Sequence, residues 1–157
     1  MSHYSIGDGC RMPDVSRQAI VAAARLWIGT PYHHQASCRS VGSDCLGLIR
    51  GVYRDVTGCE PEAPPAYSRD WGEANGQETL IDAATRHLIE VPIADAADGD
   101  ILIFRLRSGT VAKHCGIKAS VSTMIHAVEG SDAAEVVLTP WWRRRIAAAF
   151  AFPGIMR

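Results

Sequence analysis

The chain changes character at the turn Ala97-Asp98-Gly99-Asp100, and this change restricts the folds open to it more than any other feature. Before the turn, apolar residues recur at helical spacing. Val15, Ala19, Ala22, Ala23, Leu26 and Trp27 mark a helix that Asp14 or Ser16 can cap and Gly29 stops. Cys45, Leu48, Ile49, Val52, Tyr53 and Val56 mark a second, ended by Gly58, and Leu80, Ala83, Ala84, His87 and Leu88 mark a third within 79–89. After the turn, apolar runs near 101–106, 113–119, 123–128, 134–139 and 146–152 predict short strands. Helices followed by strands imply an α+β fold, with N-terminal helices packed on a small, mainly antiparallel sheet.

A chain of 157 residues fits one domain, 1–157, with enough length to bury a sizeable core. The lead-in 1–13 and the polar stretch 32–44 read as irregular, and the proline-rich segment 60–67 reads as a stiff connection inside the domain. A formal net charge of -1 supplies no general attraction to nucleic acid or to an anionic membrane. No apolar run is long enough for membrane insertion, and the first residues lack the basic and apolar regions of a signal peptide, so synthesis in the cytoplasm is expected. The five cysteines, Cys10, Cys38, Cys45, Cys59 and Cys115, are odd in number and have no C-x-x-C spacing, which indicates neither a disulfide framework nor a compact thiolate zinc site. Cys59 and Cys115 read as structural thiols.

The informative chemistry lies in Ser43-Asp44-Cys45-Leu46-Gly47-Leu48-Ile49, where a polar loop delivers a cysteine into the first turn of a helix. First-turn amides have no intrahelical acceptor, and their partial positive charge favours a thiolate. Asp44 can cap that turn, and Gly47 leaves room beside the sulfur for an extended substrate backbone. The helix end is worth at most about 2 kcal/mol, so a neighbouring imidazole is needed to complete the activation and later to protonate a leaving amine. His3 lies in the lead-in and His87 on an apolar helix face, which leaves His33, His34, His114 and His126. His114 opens one predicted strand and His126 lies on the next, so a hairpin can set His126 to orient His114, although their shared face depends on an unknown register.

A zinc-dependent hydrolase is the competing enzyme class, since His33, His34, Cys38, Cys45, His114 and Cys115 all carry ligand atoms. There is no H-E-x-x-H motif, however, and a site would have to be assembled from distant residues. No metal or other cofactor is therefore expected. An amidase or acyltransferase acting on another amide or ester, and a domain whose catalytic site is unused, are the further alternatives. Arg143-Arg144-Arg145 behind Trp141-Trp142 reads first as a solvated cluster beside packing aromatics and second as a grip on an anionic ligand.

Several motifs in order resemble those of the NlpC-type cell-wall cysteine peptidases, which have a papain-like fold. They are Thr30-Pro31-Tyr32, Asp44-Cys45-Leu46-Gly47-Leu48, Asp98-Gly99-Asp100-Ile101-Leu102, His114-Cys115-Gly116-Ile117 and Ile125-His126-Ala127, spread over about 17–152. The resemblance implies a thiol peptidase with Cys45 as nucleophile, His114 as general base and acid, His126 as its orienting partner and Tyr32 in the oxyanion environment. It implies peptidoglycan stem peptides as substrate, cleaved between D-glutamate and diaminopimelate. Asp44 and Gly47, with His33, His34 and Arg143 as further candidates, would line the substrate site, and Arg143 to Arg145 would meet an acidic stem carboxylate or an assembly partner. Leu46 stands where the family commonly has serine, and His33-His34-Gln35-Ala36-Ser37-Cys38 replaces a glycine-rich segment, which would alter the substrate rim. The Asp-Cys-Leu-Gly-Leu version, with no signal peptide and no separate wall-binding module, is similar to the phage-tail subgroup. That implies phage-like tail proteins as partners, incorporation into a phage-like particle and action in the cell-wall space.

Overall fold

The computed structural model describes residues 14–60 and 76–155. Helix α1 spans Arg17–Arg25 and is capped by Ser16, whose hydroxyl accepts from the Ala19 amide at 3.0 Å. Helix α2 spans Cys45–Thr57 and ends at Gly58, whose left-handed φ of 77° closes the last turn. The two helices meet where Trp27, just beyond α1, lies over Gly51. A Cβ at Gly51 would sit 2.0 Å from the indole ring, so only glycine permits this approach. The Trp27 indole N–H donates to Asp55 at 3.0 Å, which satisfies its one polar atom at the helix contact.

Between these helices, the stretch expected to be a loop contains a short antiparallel hairpin, β1 (Ser37–Cys38) and β2 (Gly42–Ser43). Strands of two residues are too short to produce a period, which is why the sequence pattern does not reveal them. Helix α3 covers Thr79–His87, inside the expected 79–89, and β3 (Ile89–Val91) follows at once. Pairing with β8 (Ile146–Ala151) holds these three residues at the sheet edge.

The expected strands form as β4 (Ile101–Phe104), β5 (His114–Lys118), β6 (Thr123–His126), β7 (Ala134–Val137) and β8. The sheet has six strands in the order β3-β8-β4-β5-β6-β7, and every pair is antiparallel. The turn before β4 is held to α1 by Asp100, which is fully buried and pairs with Arg17 at 2.7 Å while accepting from the Ala97 amide at 2.8 Å. Alternation along the strands sends Ile101, Ile103, Cys115, Ile117 and Ile125 into the core beneath α1 and α2, where they join Ile20, Leu48 and Val52. Each fully buried aliphatic side chain there stabilises the fold by roughly 1.5–3 kcal/mol. The other face carries Leu102, Phe104, Met124 and Ala149, and is covered in part by Trp142 of the short helix α4 (Pro140–Arg143).

The prolines of 60–67 beyond Glu60, together with the lead-in 1–13, which includes His3 and Cys10, lie outside the described residues. Cys59 is disulfide-bonded, which corrects its reading as a structural thiol, whereas Cys38, Cys45 and Cys115 are free.

Candidate active site

Cys45 is the first residue of α2, and Asp44 precedes it as the N-cap. The Asp44 carboxylate is buried and accepts from two amides, Gly47 at 2.7 Å and Gln35 at 2.8 Å. Asp44 thus closes the first turn of the helix and fastens the 32–44 segment against it. Gly47 serves the same junction and not the substrate space expected of it. It is buried, and a Cβ there would lie 1.8 Å from the Ala36 carbonyl oxygen, so the absent side chain admits the protein's own loop. Ser37 reinforces the contact by donating to the Gly47 carbonyl at 2.6 Å.

The half-buried Cys45 sulfur lies 4.0 Å from the Lys113 carbonyl oxygen, beside the start of β5. It meets the two side chains that open that strand. Cys115 and His114 are neighbours that act on its titration. Donation from Cys115 is the strongest influence holding the Cys45 thiol well below its ordinary pKa; burial acts in the opposite sense, and the hydrogen bond and charge of His114 lower it again. Cys115 responds inversely. Its own thiol is pushed well above the usual range by the neighbouring Cys45 sulfur and by complete burial, so it stays protonated and remains a donor.

His114 Nε2 lies 2.9 Å from His126 Nδ1. The register explains the contact. Ile117 pairs with Ile125 and Lys118 with Met124, so one more step along the ladder sets Gly116 across from His126 and His114 diagonally beyond it on the same face. Gly116 provides the space for this lean, since a Cβ there would lie 3.2 Å from His126 Cβ and 3.1 Å from the Met124 sulfur. Burial, and then the neighbouring His114, lower the His126 pKa to about 4, so at neutral pH His126 carries no charge. A neutral His126 that accepts at Nδ1 holds its proton on Nε2 and takes the hydrogen bond from His114 Nε2–H. His114 Nδ1 is then the nitrogen left for the sulfur.

Trp142 closes the back of this arrangement. Its ring centroid lies 5.4 Å from that of His114 and 5.2 Å from that of His126, and Phe104 packs on His114 at 5.8 Å. In the sequence Trp142 reads only as a packing aromatic. Its place over the histidines depends on α4 folding back across the sheet, which no local pattern predicts. Cys115, which reads as structural, is likewise in contact with the candidate nucleophile, and its position directly after His114 is the signal that points to it.

In front of the pair is a cleft of about 240 Å3 bordered by Tyr32, His34, Asp44, Cys45, Leu106 and His114, among others. Tyr32 is positioned by a bridge to Ser43, beside the N-cap. His34 Nδ1 stands 4.0 Å from the Asp44 carboxylate, whereas His33 is exposed and does not border the cleft. Arg143 is held elsewhere. Its guanidinium donates to the Leu138 and Val121 carbonyls at 2.9 and 2.8 Å, at the end of the β5–β6 hairpin remote from the histidines. Among the described residues no three His, Cys, Asp or Glu side chains are grouped to hold a metal ion, and no helix is long and apolar enough to cross a membrane.

The family model for the NlpC/P60 family matches residues 29–150, which include every cleft residue named above. Among solved structures, the NlpC/p60 domain of the peptidoglycan hydrolase SagA is 25% identical, with a TM-score of 0.65 over 88% of this chain and 100% of that one. An NlpC/P60 family protein from Bacillus cereus is 19% identical, with a TM-score of 0.66 over 90% of this chain and 41% of that one. A lipoprotein-like NLP/P60 family protein from Staphylococcus aureus is also 19% identical, with a TM-score of 0.60 over 100% of this chain and 46% of that one. Among curated proteins no sequence matches significantly.

Proposed function

Because the chain belongs to the NlpC/P60 family, whose members are generally cysteine hydrolases of cell-wall peptidoglycan, we propose that it is an endopeptidase cleaving stem peptides between D-glutamate and diaminopimelate through a Cys45-His114-His126 site. The observation that carries this reading is the geometry around one sulfur. A thiol at a helix start, kept well below its ordinary pKa by Cys115 and His114, faces an imidazole whose far nitrogen is 2.9 Å from a neutral histidine.

The roles follow from that geometry. The Cys45 thiolate attacks the scissile carbonyl, and the oxygen that gains negative charge meets the Cys45 backbone amide and the Tyr32 hydroxyl. His114, protonated at Nδ1, gives that proton to the departing amine as the tetrahedral adduct collapses to a thioester. It then takes a proton from water, which attacks the thioester and frees the acid. His126 touches no reacting atom in this scheme; by accepting from His114 Nε2–H it holds the ring in one orientation and one tautomer. The Asp44-Cys45-Leu46-Gly47-Leu48 motif supports a setting in a phage-like tail that delivers the enzyme to the wall.

Digestion of purified peptidoglycan by wild-type protein and by Cys45→Ala, followed by mass analysis, tests the reading. Fragments with new diaminopimelate amino ends are expected from wild type alone. Glycan-chain cleavage, or stem cleavage that survives in Cys45→Ala, sinks it. Co-purification of the chain with tail particles from a producing strain tests the setting separately.

A further inference from the structure

Four arginines converge beside the cleft. Arg105, Arg107, Arg144 and Arg145 border a concavity of about 630 Å3 that includes Leu106, the same residue that borders the Cys45 cleft. The topology produces this convergence. Phe104 at the end of β4 pairs with both His114 and Ile146, so the segments leaving β4 and entering β8 emerge together at the catalytic end of the sheet. A backbone bond of 2.9 Å from the Arg105 amide to the Arg145 carbonyl ties them.

The four charges are not equivalent. Arg105 is neutralised by an ion pair with Glu78. Arg145 is held rigidly, its guanidinium carbon 3.8 Å from the Trp141 ring centroid and its Nη1 donating to the Trp141 carbonyl at 2.8 Å, but no carboxylate balances it among the described residues. Arg107 and Arg144 are exposed, and neither has an ion pair or a side-chain hydrogen bond among the described residues. Among the described residues, three uncompensated guanidinium groups therefore share one concavity in a chain whose formal net charge is -1. Guanidinium forks match the planar carboxylate in geometry, and one fork already fixed by stacking loses little freedom on binding.

We propose that Arg107, Arg144 and Arg145 form an anion-binding subsite continuous with the Cys45 cleft, which takes a free carboxylate of the peptide being cleaved. This rests on the peptidase reading above and adds a specificity to it: stem peptides with free carboxylates are preferred to their amidated forms. Of the three arginines singled out by the sequence, Arg143 is tied to the far end of the hairpin and takes no part. Arg107, distant in sequence, replaces it.

Calorimetric titration of the full chain carrying Cys45→Ala tests the subsite without turnover. Two synthetic stem tetrapeptides are compared, one with free carboxylates and one with those carboxylates amidated. The acid form is expected to bind roughly tenfold more tightly at low salt, since several charge-assisted bonds are involved. Adding Arg107→Gln and Arg144→Gln should bring the two affinities together without weakening the amidated peptide; both residues are exposed, so folding is not at risk. Equal affinities in the parent, or a preference that survives the double replacement, overturns the subsite while leaving the peptidase reading intact. If neither peptide binds and wild type digests no wall, both fall together. A poly(glycerol phosphate) probe that binds through these arginines, while the peptides are not distinguished, assigns the patch to a phosphate polymer and rejects the substrate subsite.

Discussion

The two faces of the central sheet are built from the same strands and do different work. Toward α1 and α2 the strands present Ile101, Ile103, Cys115, Ile117 and Ile125 to a continuous apolar core. The other face presents Phe104, His114 and His126 to Trp142. On the helix face burial serves stability, because aliphatic groups gain from leaving water. On the histidine face burial serves protonation, because the same desolvation that would penalise a charged ring keeps His126 neutral and able to accept. Cys45 lies where the faces meet and takes one partner from each: Cys115 from the helix-side core and His114 from the histidine face.

If this division holds, the largest effect comes from His114→Gln. Peptidoglycan cleavage should fall by roughly 10³- to 10⁴-fold, since the base and acid are lost together, with the far-ultraviolet spectrum and cooperative unfolding retained. A residual rate within tenfold of wild type would mean that the histidine face does not carry the chemistry. Leu48→Ala should do the reverse. Emptying a fully buried position under the sheet costs about 2–5 kcal/mol by urea unfolding, while the rate per folded molecule at low temperature changes little.

The histidine face also predicts how stability depends on pH. His126 has a folded pKa of about 4 against an ordinary value of 6.5, so between those values the unfolded chain binds the proton more readily than the folded one. Stability from this group is complete above pH 6.5, falls as the pH drops toward 4, and changes no further below that. The loss across the window is on the order of 3 kcal/mol. His126→Asn should flatten the decline in Tm between pH 6.5 and 4, and Trp142→Ala, by admitting water and raising the folded pKa of His126, should end the decline at a higher pH and make it smaller. An unchanged profile in His126→Asn would show that this histidine does not set the decline, and a profile changed there but not in Trp142→Ala would show that Trp142 does not set its environment.

The smallest effect concerns the contribution from the apolar face. Cys115 lowers the Cys45 pKa by donating to its sulfur, so Cys115→Val, which keeps the volume and removes the donor, should raise it. The pH midpoint of iodoacetamide labelling at Cys45 should therefore move upward. No movement would leave the helix terminus and His114 as the agents of activation.

Much of this arrangement is legible in the order of the residues. The periodicities over 15–27 and 45–56 and the apolar runs from 101 onward correspond to helices and strands at those places, although α1 ends at Arg25, short of the expected stop at Gly29. Cys45, His114 and His126 stand out because their residue types, at a helix start and on neighbouring strands, suit acyl transfer, and Tyr32 stands out through its resemblance to a family motif. The misreadings share a cause. Gly47 suits substrate space by its size, but it faces Ala36, a residue brought back by the hairpin β1–β2. Arg143 groups with its sequence neighbours, but its bonds go to Val121 and Leu138. Cys59 reads as a thiol because cysteine spacing does not specify pairing, yet it is disulfide-bonded.

Element type, the cap at Asp44 and the placing of a cysteine in the first turn of α2 are local properties. They arise from contacts within about one helical turn or one strand, so residue order and spacing suffice to specify them. Which side chains then surround the sulfur is settled by register and by the return of distant segments. The step between Ile117 and Ile125 puts two histidines on one face, and α4 closes over them. The two segments at the ends of β4 and β8 bring Arg107 near Arg145. Those neighbours are chosen by burial and pairing summed over the whole sheet, and no stretch of the chain carries that sum alone.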